Sequence, residues 1–81
     1  MPLHEFVKKV IEVCEGQGWR CLYMIDDVRN RLHVKIIFDL NHERHEFTDE
    51  IPMETIHTNP FPGLIIKEIV DKVDGIINTS K

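Results

Sequence analysis

Three groups of side chains in this sequence are of types that do chemistry, and their spacing decides what they can do. The densest is Asn41-His42-Glu43-Arg44-His45-Glu46. A zinc protease needs HExxH on a helix, so that two imidazoles four residues apart share a face. This segment has HExH, one residue short, at a turn between strand-like stretches. On a strand His42 and His45 have opposite parity and point apart. His4, His33 and His57 fall on three other elements. A histidine-based metal-binding protein is therefore one reading, and solvated surface histidines are the plainer one.

Cys14 and Cys21 flank the turn Gly16-Gln17-Gly18, which brings their elements close. A nucleophilic thiol needs an activating histidine or a helix N-terminus. Cys14 stands at a helix C-terminus, where the dipole disfavours a thiolate. Both cysteines read as apolar core. Asp26-Asp27 and Asp49-Glu50 are adjacent acids, and neighbours on a strand point to opposite faces, so neither pair shares a proton by spacing alone. There is no Gly-rich phosphate loop, nucleophile elbow or catalytic triad pattern. The chain reads as a non-enzyme, with no cofactor implied.

Composition narrows the class. The chain has 81 residues, 42% hydrophobic and 30% charged, with a formal net charge of −4. That is a single globular domain without a basic field for nucleic acid or an anionic membrane. Five histidines make the net charge cross zero at mildly acidic pH. The start, MPLHEFVKK, is amphipathic and does not read as a signal peptide. No apolar run reaches the roughly 20 residues of a membrane span. With two cysteines and no disulfide framework, a cytoplasmic protein with reduced thiols is expected.

The elements that carry these side chains follow from periodicity. The stretch Arg31 to Leu40, RLHVKIIFDL, is the best strand signal. Its even residues form an apolar face, and Arg31, His33, Lys35, Ile37 and Asp39 form the other. Residues 19–27 read as a preceding strand with Trp19, Cys21, Tyr23 and Ile25 on one face. Residues 44–51 read as a polar edge strand ended by Pro52. Residues 3–15 and 62–78 carry helical apolar arcs, the first ending at Gly16. Residues 52–63 read as a proline-dense loop in which Met53 to Ile56 can make one helical turn, and the tail from Asn78 to Lys81 should fray. With Arg29-Asn30 as a two-residue turn, Ile25 faces Val34, Tyr23 faces Ile36, Cys21 faces Phe38 and Trp19 faces Leu40, while on the other face Asp26 meets His33, Arg20 meets Asp39 and Leu22 meets Ile37; a four-residue loop gives a nearby register.

The result is an α+β domain of order α-β-β-β-α: a three-stranded antiparallel meander with two helices packed on one face. In order and length this resembles double-stranded-RNA-binding domains. Those domains carry a basic cluster at the start of the second helix, which would imply nucleic-acid binding. Here that position reads Pro62-Gly63-Leu64-Ile65-Ile66-Lys67, with one lysine, in an acidic chain. The more informative feature is the second sheet face. Leu22, Met24 and Ile37 are apolar residues on a face that should be wet, with Arg20 and Lys35 at their rim. Such a cluster marks a protein-contact surface for a homodimer or another partner, unless Phe61 or Ile56 of the loop covers it.

Overall fold

A computed structural model describes residues 2–79. Helix α1 (Leu3–Gly16) leads into an antiparallel sheet of β1 (Arg20–Asp26), β2 (Arg31–Leu40) and β3 (Glu43–Pro52), in the order β1-β2-β3. A six-residue helix, α2 (Met53–Thr58), and the long helix α3 (Pro62–Thr79) follow. The architecture is the expected α-β-β-β-α, with the short α2 formed where the sequence allowed a single turn. At the C-terminus Asn78 and Thr79 continue α3, and the Thr79 hydroxyl donates to the Gly75 carbonyl at 2.6 Å; Ser80 and Lys81 lie outside the described residues.

The core forms because β2 is central and keeps strict alternation. Leu32, Val34, Ile36, Phe38 and Leu40 are all buried. They meet Phe6, Val7, Val10 and Cys14 of α1, Ile56 of α2, and Ile66, Ile69 and Val73 of α3. The helical residues recur at three- and four-residue intervals, so each helix turns one apolar stripe to the sheet. Trp19 precedes β1 rather than lying in it. Its N–H bonds the Cys14 carbonyl at 2.9 Å, and its ring packs 6.5 Å from Phe38. Gly18, at φ 82°, makes that turn in a conformation glycine takes without strain.

The turn between β2 and β3 sets the phase of the ladder. Asn41 and His42 have φ of 54° and 67°, the two positive values of a type I′ hairpin closed by Leu40 and Glu43. Such a hairpin closes on a hydrogen-bonded pair, so even-numbered β2 residues bond β3 and odd-numbered ones bond β1.

The first hairpin corrects the two-residue turn. Its loop has four residues, Asp27 to Asn30, between the paired Asp26 and Arg31. The register is shifted by two from the Arg29-Asn30 alternative: Ile25 faces Leu32, Tyr23 faces Val34 and Cys21 faces Ile36. Leu22 lies opposite Lys35, and Ile37 opposite Arg20. The cause is local. Asp26 Oδ1 accepts the N–H groups of Val28 and Arg29, both at 3.1 Å, and this side-chain turn replaces a backbone one. A two-residue shift preserves parity, so the face assignments survive it.

Replacing His42 with glycine should stabilise the protein by roughly 0.5 kcal/mol, because a Cβ at positive φ is strained and the gain outweighs added chain entropy. Ile36→Ala should instead cost about 2–5 kcal/mol through the cavity it leaves. Urea unfolding midpoints at unchanged slope read both.

Candidate functional site

The face of the sheet away from the helices is the candidate site, and it is built in rows across the strands. Arg20, Ile37 and Glu46 form one row. Leu22, Lys35 and Thr48 form the next, then Met24, His33 and Glu50. Leu22 is 49% exposed and Met24 60%. The loop does not cover them: Ile56 is buried in the core, and Phe61 stands 64% exposed at the start of α3. Beside the two apolar side chains runs an open depression of about 620 Å³, lined among others by Leu22, Met24, His33, Lys35, Thr48 and Glu50. Ile37 is half-buried on the same face, diagonal to Leu22 rather than opposite it.

The polar part of the face is a paired network. Lys35 Nζ lies 3.7 Å from Glu46 Oε2. His33 sits between two carboxylates, with Nδ1 3.4 Å from Glu50 Oε1 and Nε2 3.5 Å from Asp26 Oδ2. Nε2 is shielded from solvent without a hydrogen bond, so its contact with Asp26 is electrostatic rather than a well-formed hydrogen bond. An imidazole carrying both ring protons can offer one to each acid. The Arg29 backbone N–H, with further help from His33 and the Val28 N–H, holds the Asp26 carboxyl below its usual range.

The other candidate groups are placed elsewhere. Cys14 and Cys21 are free thiols in contact between α1 and β1. The Cys21 sulfur as hydrogen-bond partner, together with burial, pushes the Cys14 thiol well up. Cys14 is therefore held protonated in the core. His42 occupies the tip of the β2–β3 hairpin, and His45 stacks on Phe38 at 5.8 Å on the helix side. The two do not converge. Among the described residues no three His, Cys, Asp or Glu side chains come together at metal-binding distance. Asp49 points to the helix layer, where it accepts from Lys72 of α3 at 3.1 Å, whereas Glu50 points to the open face. Among the described residues no helix is long and apolar enough to cross a membrane.

Sequence reasoning placed Leu22, Met24, Ile37, Arg20 and Lys35 on one face, and the structure brings all five there. It missed two things. Asp26 was expected across from His33 and does lie 3.5 Å from it, although Met24 is the residue directly opposite; the partner missed is Glu50, which the third strand supplies. Tyr23 and Ile25 read as core, yet they are 51% and 42% exposed on the helix side of β1. The helices cover Cys21 but leave the loop-proximal half of that strand bare. No family model matches the chain, and no curated protein or solved structure is significantly similar to it.

The lowered Asp26 carboxyl has a pH consequence. A depressed folded-state pKa adds stability above the unfolded value of about 4, and that stability is lost as pH falls through the folded pKa. Asp26→Asn keeps the turn acceptor but removes the charge. The stability gap between wild type and Asp26→Asn should be open at pH 5–7 and should narrow towards pH 2, as read by urea titrations across that range.

Proposed function

We propose that this protein is a small non-enzymatic interaction module that binds a protein partner, or a second copy, through the open face of its sheet. The observation that carries the reading is the exposure of Leu22 and Met24, in adjoining rows with Lys35 and His33, beside an open depression that no other part of the described chain covers. Apolar side chains at the middle of a charged rim are the anatomy of a protein contact. Two large apolar side chains exposed side by side on one sheet face of so small a domain lower its solubility unless they are used.

The charge pattern favours protein over nucleic acid. Asp26, Glu46 and Glu50 stand on the same face as Lys35 and His33. Those acids would repel phosphates, whereas a mixed rim can register a polypeptide of complementary charge. A regulatory role suits such a module, because the face offers binding and no reactive group. The cytoplasm suits the two contacting thiols, which stay reduced there.

The test compares wild type with Leu22→Asp/Ile37→Asp, both immobilised and both checked for folding by thermal melting. A partner retained by wild type should bind the variant on the order of 10²-fold more weakly, as expected for loss of central apolar contacts. A folded variant that retains the same proteins with the same affinity overturns the reading.

A further inference from the structure

The two edges of the sheet are built differently. On β3 the even-numbered residues turn their backbone groups outward, because the odd-numbered ones bond β2. Those residues are Arg44, Glu46, Thr48, Glu50 and Pro52. The edge is blunted at its α2 end: the Glu50 N–H is taken by Asp49 Oδ1 at 2.9 Å, and Pro52 has no N–H to offer. Charged side chains fill most of the remainder.

The β1 edge has none of these defences. Its even-numbered residues bond β2, so Cys21, Tyr23 and Ile25 turn their N–H and C=O groups out of the sheet. The run Cys21-Leu22-Tyr23-Met24-Ile25 carries no charge and no proline. It is also exposed on both faces, with Leu22 and Met24 on the open side and Tyr23 and Ile25 on the helix side. An uncharged edge strand with bare apolar side chains on both faces is a template for another strand.

The strand sequence is complementary to its own reverse. It reads Arg20-Cys21-Leu22-Tyr23-Met24-Ile25-Asp26. Turned antiparallel about Tyr23, it sets Arg20 opposite Asp26, Cys21 opposite Ile25, Leu22 opposite Met24, and Tyr23 opposite itself. Other two-fold registers leave part of the strand unpaired and separate the charges. In this register the outward-turned residues Cys21, Tyr23 and Ile25 become hydrogen-bonded pairs. Leu22 and Met24 become the closer, non-bonded pair, in which side chains approach best. Among the described residues no carboxylate lies within ion-pair distance of Arg20, so its charge is available to Asp26 of the second copy.

We propose that β1 pairs antiparallel with β1 of a second copy, about a two-fold axis through Tyr23, to make one six-stranded sheet. Both helix layers then lie on one side and both open faces on the other. Leu22 and Met24 of the two copies meet at the centre of a joined face, with Lys35 and His33 outside them on each side. The inference deepens the reading of that face as the interaction surface: the surface presented to a partner spans two copies.

Sedimentation from 10 to 500 µM tests the pairing (the range spans typical association strengths). Wild type should shift to twice the monomer mass. Tyr23→Pro removes one outward N–H per copy and none that bonds β2, so the dimer should weaken roughly 30-fold or more. Arg20→Glu, which places like charges opposite Asp26, is the second variant should the proline one fail to fold. A mixture of Leu22→Cys and Met24→Cys should form a covalent heterodimer through the new cysteines faster than either alone, which fixes the register. Wild type that stays monomeric at 500 µM overturns the pairing. So does a dimer indifferent to Tyr23→Pro and Arg20→Glu but lost in Ile37→Asp, since that dimer would use the face and not the edge. Retention of a partner by monomeric Tyr23→Pro would leave the face reading standing by itself.

Discussion

One turn fixes the phase of the whole sheet. With Asn41 and His42 both at positive φ, the second hairpin can close only with Leu40 and Glu43 as its hydrogen-bonded pair. Every even-numbered residue of β2 then bonds β3, and every odd-numbered one bonds β1. The same parity sends Leu32, Val34, Ile36, Phe38 and Leu40 into the helix layer. Side-chain direction and backbone direction are thus coupled through one strand. The coupling decides which atoms of the outer strands stay free, and on β1 they belong to Cys21, Tyr23 and Ile25.

The helix layer supplies the second constraint. All three helices contribute buried residues to the one cluster that includes the even-numbered residues of β2. Domains this small leave a large share of their surface in water. What is left bare is not random. The polar side of β3 is tied down by Lys35–Glu46 and His33–Glu50 on the open face and by Asp49–Lys72 towards α3. Within the sheet, the large exposed apolar residues lie on β1: Leu22, Tyr23, Met24 and Ile25.

Much of this was legible in the sequence, because alternation along β2 and helical arcs in residues 3–15 and 62–78 are strong periodic signals. They gave the order, the central strand and the face on which Arg20, Leu22, Met24, Lys35 and Ile37 lie. The first hairpin was less legible. Asp26 captures two backbone N–H groups of its own loop, and nothing in the Arg29-Asn30 dipeptide announces that. The shift by two residues left parity intact, which is why the faces were right while the Leu22–Ile37 pairing was not. The exposure of Tyr23 and Ile25 was illegible for another reason. Alternation tells which side of a strand a residue is on, but coverage of that side depends on where the helices end.

Asp26 joins the two halves of the site. Its Oδ1 shapes the loop that sets the β1–β2 register, and its Oδ2 faces His33, which reaches on to Glu50 of β3. An acid that capped the loop alone would leave the face indifferent to the turn. One that served the face alone would leave the register loose. Because a single carboxylate does both, the position of Leu22 and Met24 along the edge is tied to the charge pattern beside them. Surface ion pairs add little stability by themselves. Their effect here is geometric: with the loop that Asp26 caps, the Asp26–His33–Glu50 contacts tie the loop end of β1 to β2 and β3, so the register of the first hairpin and the charge pattern of the open face are set together.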